Sequence, residues 1–148
     1  MNWSWPQIFI VVILLLGGVH LYRVNAVRPG GAANLPKFIS TTGAVVDGPL
    51  VVQAESFLPL KMDFNARVTL KGWFATGSAR SRIECLVLNK DAFELWKNGR
   101  EYQAVAKTGY LPSGRIERVL EPETYYLIFD NQRAGEPEKE FNAFFEIE

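Results

Sequence analysis

RVTLKGWF, residues 67–74, alternates apolar and polar side chains along its length. Successive side chains of a β-strand point to opposite faces, so the apolar residues Val68, Leu70 and Phe74 share one face. The opposite face is polar except for Trp73. A strand of this kind packs against a core on one side and meets water on the other. The stretch therefore predicts a half-buried strand in an antiparallel sheet, with Trp73 on the wet face.

Similar short runs of β-branched and aromatic residues, separated by Gly, Pro and Asn, fill the chain from residue 37 onward. Their spacing of about 8–12 residues is typical of sandwiches and barrels. The run 82–89 is largely apolar on both faces, which predicts a central strand. We therefore expect an all-β domain over residues 37–148, an antiparallel β-sandwich of the jelly-roll or immunoglobulin-like kind. The predicted strands are 37–41, 44–47, 50–57, 66–75, 82–89, 101–107, 115–120, 124–130 and 142–148.

One short helix is predicted between these strands, over residues 89–99 with the sequence NKDAFELWKNG. Asp91 suits the N-cap, and Gly99 suits the position just after the last helical residue. Phe93 and Trp96 are three positions apart, so both lie on one face of the helix. That face is expected to pack against a sheet.

A largely apolar segment precedes the sandwich, WPQIFIVVILLLGGVHLY at residues 5–22, with no charged or strongly polar side chain from Ile8 to Val19. As a helix it spans roughly 27 Å, close to the ~30 Å hydrocarbon core of a bilayer. Aromatic and basic side chains at its two ends suit the membrane interface. We expect a single transmembrane helix with its flanks over residues 1–23 and a linker rich in Gly and Pro over residues 24–36. The interfacial residues are Trp3, Trp5, Tyr22 and Arg23.

The alternative to an anchor is a cleaved secretory signal, because Val-Asn-Ala at residues 24–26 suits a cleavage site. No Lys or Arg precedes the apolar run, so the basic start of a signal peptide is missing. This favours an uncleaved anchor. Arg23 and Arg28 follow the helix, so the positive-inside rule favours a cytoplasmic C-terminal domain, with a periplasmic domain as the alternative.

The end of the membrane segment carries two adjacent glycines and the chain's one histidine. Gly17 and Gly18 let another helix approach closely, which predicts a helix-packing site. His20 has two interpretations. It is either an interfacial residue close to the headgroups, or a contact to a partner or a pigment, because neutral imidazole binds metals.

Composition argues against several function classes. Acidic and basic residues number 16 each, so no excess of basic charge points to nucleic acid. Cys85 and His20 are the only residues of their types, which leaves neither an internal disulfide nor a structural zinc site. No glycine-rich phosphate loop, GxSxG or HExxH motif occurs. We expect a protein that is not an enzyme and that holds no metal and no cofactor.

Trp73 and Tyr110 are the candidates for a binding surface on the domain. Large aromatic side chains of this kind are enriched where proteins bind other molecules. The alternative for Trp73 is that it covers a neighbouring strand.

LEPETYYLIFDN, residues 120–131, resembles the late strand of bacterial membrane-anchored β-sandwiches of the GOLD-like kind, in which Leu-x-Pro-Gly-x-Tyr-Tyr-Leu-x-x-Asp-Asn recurs. LVLNKDAFELWKNG, residues 86–99, is similar to their segment of a strand and a short helix. Glu123 stands where that pattern has Gly. The resemblance covers the second half of the chain. It implies a jelly-roll-like sandwich at the bacterial inner membrane, used for protein contacts and without catalytic residues.

These features favour an accessory or scaffolding subunit that docks on and stabilises a larger membrane complex, with respiratory or photosynthetic assemblies as the example class. Its expected partners are other membrane protein subunits and the lipid bilayer, without nucleic acid. The alternative hypothesis is a membrane-anchored module that binds a glycan or a lipid through Trp73 and Tyr110.

Overall fold

The computed structural model describes residues 37–38 and 43–148 of the chain. Nine strands and one helix, α1 (Lys90–Lys97), make up this part, as expected for a mostly β domain with one short helix. The strands are β1 (Lys37–Phe38), β2 (Gly43–Val52), β3 (Phe57–Asp63), β4 (Val68–Ala75), β5 (Ile83–Asn89), β6 (Ala106–Leu111), β7 (Ser113–Leu120), β8 (Thr124–Asp130) and β9 (Lys139–Ile147).

The strands form two sheets. Sheet A has the order β1-β3-β8-β5-β6, and sheet B has the order β2-β9-β4-β7. All pairs are antiparallel except β1 with β3. The antiparallel partners are nested, because β5 pairs with β6, β4 with β7, β3 with β8 and β2 with β9. This nested pairing of eight strands is that of a jelly roll.

The main core lies between the two sheets and follows the alternation that the sequence predicts. In β4 the side chains of Val68, Leu70 and Phe74 are buried, whereas Trp73 is 42% exposed. In β9 every second side chain from Lys139 to Ile147 is buried. Phe129 of β8 is fully buried at the centre of an aromatic cluster with the rings of Phe74, Phe141 and Phe145.

A second, smaller cluster lies on the outward side of sheet A, under α1. The ring of Phe93 stacks on Tyr126 with 3.9 Å between centroids. Trp96 meets Phe57 edge to face at 4.7 Å. The prediction that Phe93 and Trp96 share a face that packs against the sheet is confirmed.

The helix ends differ partly from the prediction. Asn89, and not Asp91, is the N-cap, because its side-chain oxygen accepts a hydrogen bond of 2.9 Å from the backbone N–H of Ala92. At the other end Gly99 has φ +63°, and the N–H groups of Gly99 and Arg100 donate to the carbonyls of Trp96 and Leu95. This is a Schellman ending, which confirms Gly99 as the terminating residue.

Two strand predictions failed at prolines. The predicted strands 44–47 and 50–57 are for the most part the single strand β2, which runs through Gly48 and Pro49. The sequence predicts β3 only at its first residue, Phe57, because the predicted strands leave out residues 58–65, and Pro59 lies inside the observed strand. Proline is tolerated at sheet edges, where its missing N–H needs no partner. β2 is an edge strand of sheet B, and among the described residues β1 pairs with β3 at Lys61 and Met62, beyond Pro59.

The strand predicted at 101–107 is displaced toward the C-terminus. The observed β6 begins at Ala106, and residues 101–104 belong to no strand. The pairing of β5 with β6 shifts register between Glu84 and Leu86. Gly109, with φ +79°, supplies the left-handed residue that such an irregularity favours.

The predictions for the N-terminal segment lie outside the described residues. They comprise the helix at 1–23, the linker at 24–36 and the site residues Trp3, Trp5, Gly17, Gly18, His20, Tyr22 and Arg23. In the part of the chain that the structure describes, no helix is long and apolar enough to span a bilayer.

Candidate functional site

The outward face of sheet B carries Trp73 in the middle of a row of four side chains. Directly opposite Trp73 lie Arg115 of β7 and Phe144 of β9, and Asp47 of β2 lies beyond Phe144. Side chains directly opposite one another in antiparallel strands are close enough to contact. The row therefore presents two neighbouring aromatic rings, with a cation at one end and an anion at the other.

Charged residues border this row on the same face. Lys71 of β4 forms ion pairs with Glu146 and Glu148. The hydrogen bond to Glu148 is the main reason why the pKa of Lys71 is raised. Ion pairs this exposed contribute little to the stability of the fold. Their effect is to place charged groups beside the aromatic row.

Sheet B differs from sheet A in being uncovered. The outward side chains of β4, β7 and β9 are all exposed or half-buried. On sheet A, by contrast, α1 buries Leu86, Leu88 and Ile128. Among residues 37–38 and 43–148, no element crosses the outward face of sheet B, and we call it the open face.

Tyr110 lies elsewhere, in β6 at the edge of sheet A, and it belongs to a polar cluster around Lys139. The ammonium group of Lys139 donates to the hydroxyl of Tyr110 at 2.6 Å, to the carbonyl of Arg82 and to a carboxylate oxygen of Glu136 at 2.7 Å. Its side chain is only 3% exposed. An ammonium has three donors, so these three acceptors satisfy it completely. The same contact lowers the pKa of Glu136.

The guanidinium of Arg133 also lies over the ring of Tyr110, 3.8 Å from the ring centroid. The structure therefore places Trp73 on the open face of sheet B and Tyr110 under a cation in sheet A, so the two are not brought together. The Lys139 cluster was missed by sequence analysis. The sequence contained a signal for it, because Lys139 is an even number of residues from Phe141 and Phe145. If the strand extends back to residue 139, Lys139 must face inward with them.

Two carboxylates meet on the outward side of sheet A. Asp130 of β8 lies directly opposite Glu84 of β5. The pKa of Asp130 is raised, first by partial burial and further by the negative charge of Glu84, although the N–H of Gln132 and the guanidinium of Arg133 act in the opposite direction. A carboxyl group with a raised pKa in the folded state stabilises the fold when protonated, and this contribution is lost as the pH rises through that pKa.

We expect Asp130→Asn to unfold at a higher temperature than the wild type at pH 7. The Asn keeps the oxygen that accepts from Gln132 and removes the repulsion with Glu84. The difference should vanish near pH 3, below the ordinary carboxyl pKa of ~4, where the wild-type side chain is protonated in both states. Thermal unfolding followed by circular dichroism at both pH values tests this. Glu140→Gln, an exposed acid on β9, is the control for net charge, and a less stable Asp130→Asn at pH 7 contradicts the prediction.

The described residues contain no group of three or more His, Cys, Asp or Glu side chains that suits a metal ion. Cys85 is fully buried, and burial raises the pKa of its thiol far above the usual range. A nucleophilic cysteine needs a lowered pKa and access to solvent, so Cys85 is a packing residue. The chemistry that the described residues offer is recognition of another molecule by the aromatic and charged side chains of the open face.

Comparisons with known proteins add information on the fold. No protein-family model matches the chain, and no curated protein matches its sequence. Several solved structures are similar in shape, and two of them illustrate the likeness. One is PliG of Aeromonas hydrophila, a periplasmic lysozyme inhibitor of g-type lysozyme, with 12% identity, a TM-score of 0.50 and coverage of 76% of this chain and 100% of PliG. The other is the pre-peptidase C-terminal domain of a Bacillus anthracis collagenase, with 10% identity, a TM-score of 0.42 and coverage of 78% and 97%. At these identities, the likeness to PliG shows a shared fold.

Proposed function

We propose that the chain is a non-catalytic, single-pass membrane protein that docks on a larger membrane complex as an accessory or scaffolding subunit. Its sandwich contacts the partner subunits through the open face of sheet B, and its N-terminal helix packs beside theirs at Gly17 and Gly18. The apolar run at 5–22 supports the membrane anchor.

The observation that carries the proposal is the exposure of Trp73. An indole that is 42% exposed on an open sheet face keeps a large apolar surface in water. Tryptophan is enriched among the residues that dominate the energy of protein interfaces. Phe144 and Arg115 on either side of Trp73 are also residue types enriched at interfaces.

We expect Trp73→Ala to release the protein from its complex without unfolding it. Membranes of the source organism carrying tagged full-length protein are solubilised in mild detergent and separated by native electrophoresis. The wild type should migrate with a complex much larger than its own 16.7 kDa, and Trp73→Ala should lose most of that association. Leu111→Ala is the matched control, because Leu111 is also 42% exposed but lies on β6.

Two outcomes would contradict the proposal. One is a wild-type protein that migrates as a free monomer in mild detergent. The other is a Trp73→Ala protein that stays in the complex to the same extent as Leu111→Ala.

The second candidate is a membrane-anchored module that binds a glycan or a lipid. The neighbouring side chains of Trp73 and Phe144 favour it, because a sugar ring or an acyl chain can pack against aromatic rings. Tyr110 has no part in this version, since Arg133 covers its ring. Retention of the wild type, but not of Trp73→Ala, on immobilised peptidoglycan or on lipid vesicles would favour this candidate over the first.

A further inference from the structure

Both sheets end on the same side of the sandwich. β6 is the last strand of sheet A, β7 is the last strand of sheet B, and a single residue, Pro112, separates them in the chain. A cleft of about 710 Å³ opens at this edge. It is lined by residues 99–107, which lead from α1 into β6, and by Arg118 of β7. A second hollow of about 520 Å³ continues it toward α1.

The cleft is basic. Its lining contains three cations, Arg100, Lys107 and Arg118, and one acid, Glu101. All three cations are exposed. None of them forms an ion pair within residues 37–38 and 43–148. The chain as a whole has no net charge, whereas this lining has two more cations than acids.

Arg118 has an unusual position for a charged residue. It lies on the same face of β7 as Ile116 and Leu120, whose side chains are buried in the core. At the end of the sandwich edge its guanidinium crosses to sheet A, where Nε donates to the carbonyl of Val105 at 3.1 Å. A charge that faces inward at a sheet edge blocks uncontrolled pairing, and here it also fixes a cation beside the cleft.

The backbone along the cleft is unpaired. Val105 donates its N–H to the carbonyl of Val87 at 2.9 Å, and Arg100 donates to Leu95. Between them, residues 101–104 make no backbone hydrogen bond to the rest of the described chain. Four consecutive residues therefore have N–H and C=O groups without a backbone partner in the described chain, next to three cations. Such an edge is a template for an added extended segment.

We propose that this cleft binds an extended, acidic peptide segment of a partner protein. The segment pairs its backbone with residues 101–104, and its carboxylates meet Arg100, Lys107 and Arg118. Backbone pairing supplies affinity, and the complementary charge selects acidic over basic segments. The proposal goes beyond the docking function above, because the cleft lies at the sandwich edge and does not use the open face.

The probe is a short, end-capped, fluorescently labelled peptide in which Glu and Thr alternate, titrated against full-length protein in detergent. Fluorescence anisotropy should show saturable binding. Arg100→Glu combined with Lys107→Glu should weaken it about tenfold or more, because attraction becomes repulsion at two points. Arg80→Glu combined with Arg82→Glu is the matched control, with the same change in net charge on exposed residues outside the cleft, and it should change the affinity less than about twofold.

Further peptides separate charge from backbone pairing. A peptide with Gln in place of Glu should bind much more weakly, and so should the acidic peptide with alternate backbone nitrogens methylated. The proposal is overturned if the wild type does not bind the acidic peptide saturably, if both double variants lose binding equally, or if the methylated peptide binds as well as the parent. Binding to vesicles of anionic lipid that depends on Arg100 and Lys107, without binding of the peptide, likewise overturns it in favour of a membrane surface. Loss of binding only in the control pair also overturns it, because the peptide would then bind outside the cleft.

Discussion

Phe129→Ala is expected to lower the free energy of unfolding by about 3–5 kcal/mol. The ring of Phe129 is fully buried, and its centroid lies 4.8 Å from that of Phe141, 6.0 Å from Phe145 and 6.2 Å from Phe74. These three rings come from sheet B, so Phe129 joins the two sheets. Truncation leaves a cavity. The strands β4 and β9, which carry the three neighbouring rings, cannot move to close it because each is hydrogen-bonded to a strand on both sides.

The measurement is denaturant and thermal unfolding of the full-length protein, followed by near-ultraviolet circular dichroism. Domains of this size are stable by about 5–15 kcal/mol, so the variant should lose a large share of its stability and melt more than about 10 °C lower. Val119→Ala is the control. Val119 is 49% exposed on β7, and its truncation should cost less than about 0.5 kcal/mol. Equal losses for the two variants would show that the aromatic cluster does not hold the sheets together.

The faces of the strands were predictable because parity is a local property. Two residues on one strand either share a face or do not, whatever the strand pairs with. Val68, Leu70 and Phe74 were placed correctly on this basis, and so was the exposed Trp73. The existence of β3 was not predictable in this way. Whether a proline interrupts a strand depends on whether its N–H would have faced a partner, and this is decided by strand order.

The same distinction between local and long-range information applies to the candidate site. The exposure of Trp73 follows from alternation within one strand. The environment of Tyr110 depends on Lys139, which is 29 residues away, and on Arg133 in the loop before β9. The cleft requires that β6 and β7 end different sheets on the same side, which is a property of the topology. Composition alone predicts a strand over residues 101–107, but it does not show that residues 101–104 have no backbone partner.

Gly72→Ala is expected to cost about 3 kcal/mol, the upper end of the range for overpacking. Gly72 lies on the inward face of β4, between Ile116 of β7 and Phe145 of β9. A Cβ atom built there would overlap the backbone carbonyl oxygen of Phe144 and approach two ring carbons of Phe145 to 2.5 Å. The ring can rotate only into a full core, and the carbonyl belongs to a strand paired on both sides. The strands β4 and β9 must therefore separate to admit a methyl group.

Gly77→Ala distinguishes this steric effect from a backbone effect. Gly77 has φ +71°, which is strained for alanine, but a Cβ atom there meets nothing within 4 Å. Its replacement should cost only about 1 kcal/mol, the usual penalty for a left-handed non-glycine residue. Urea unfolding of the two variants side by side should thus rank Gly72→Ala as clearly the less stable. The reverse ranking would mean that β4 and β9 are packed more loosely at this point than the contact to Phe145 requires. The steric argument is specific to position 72, because any side chain larger than hydrogen there would occupy the space that the ring of Phe145 fills.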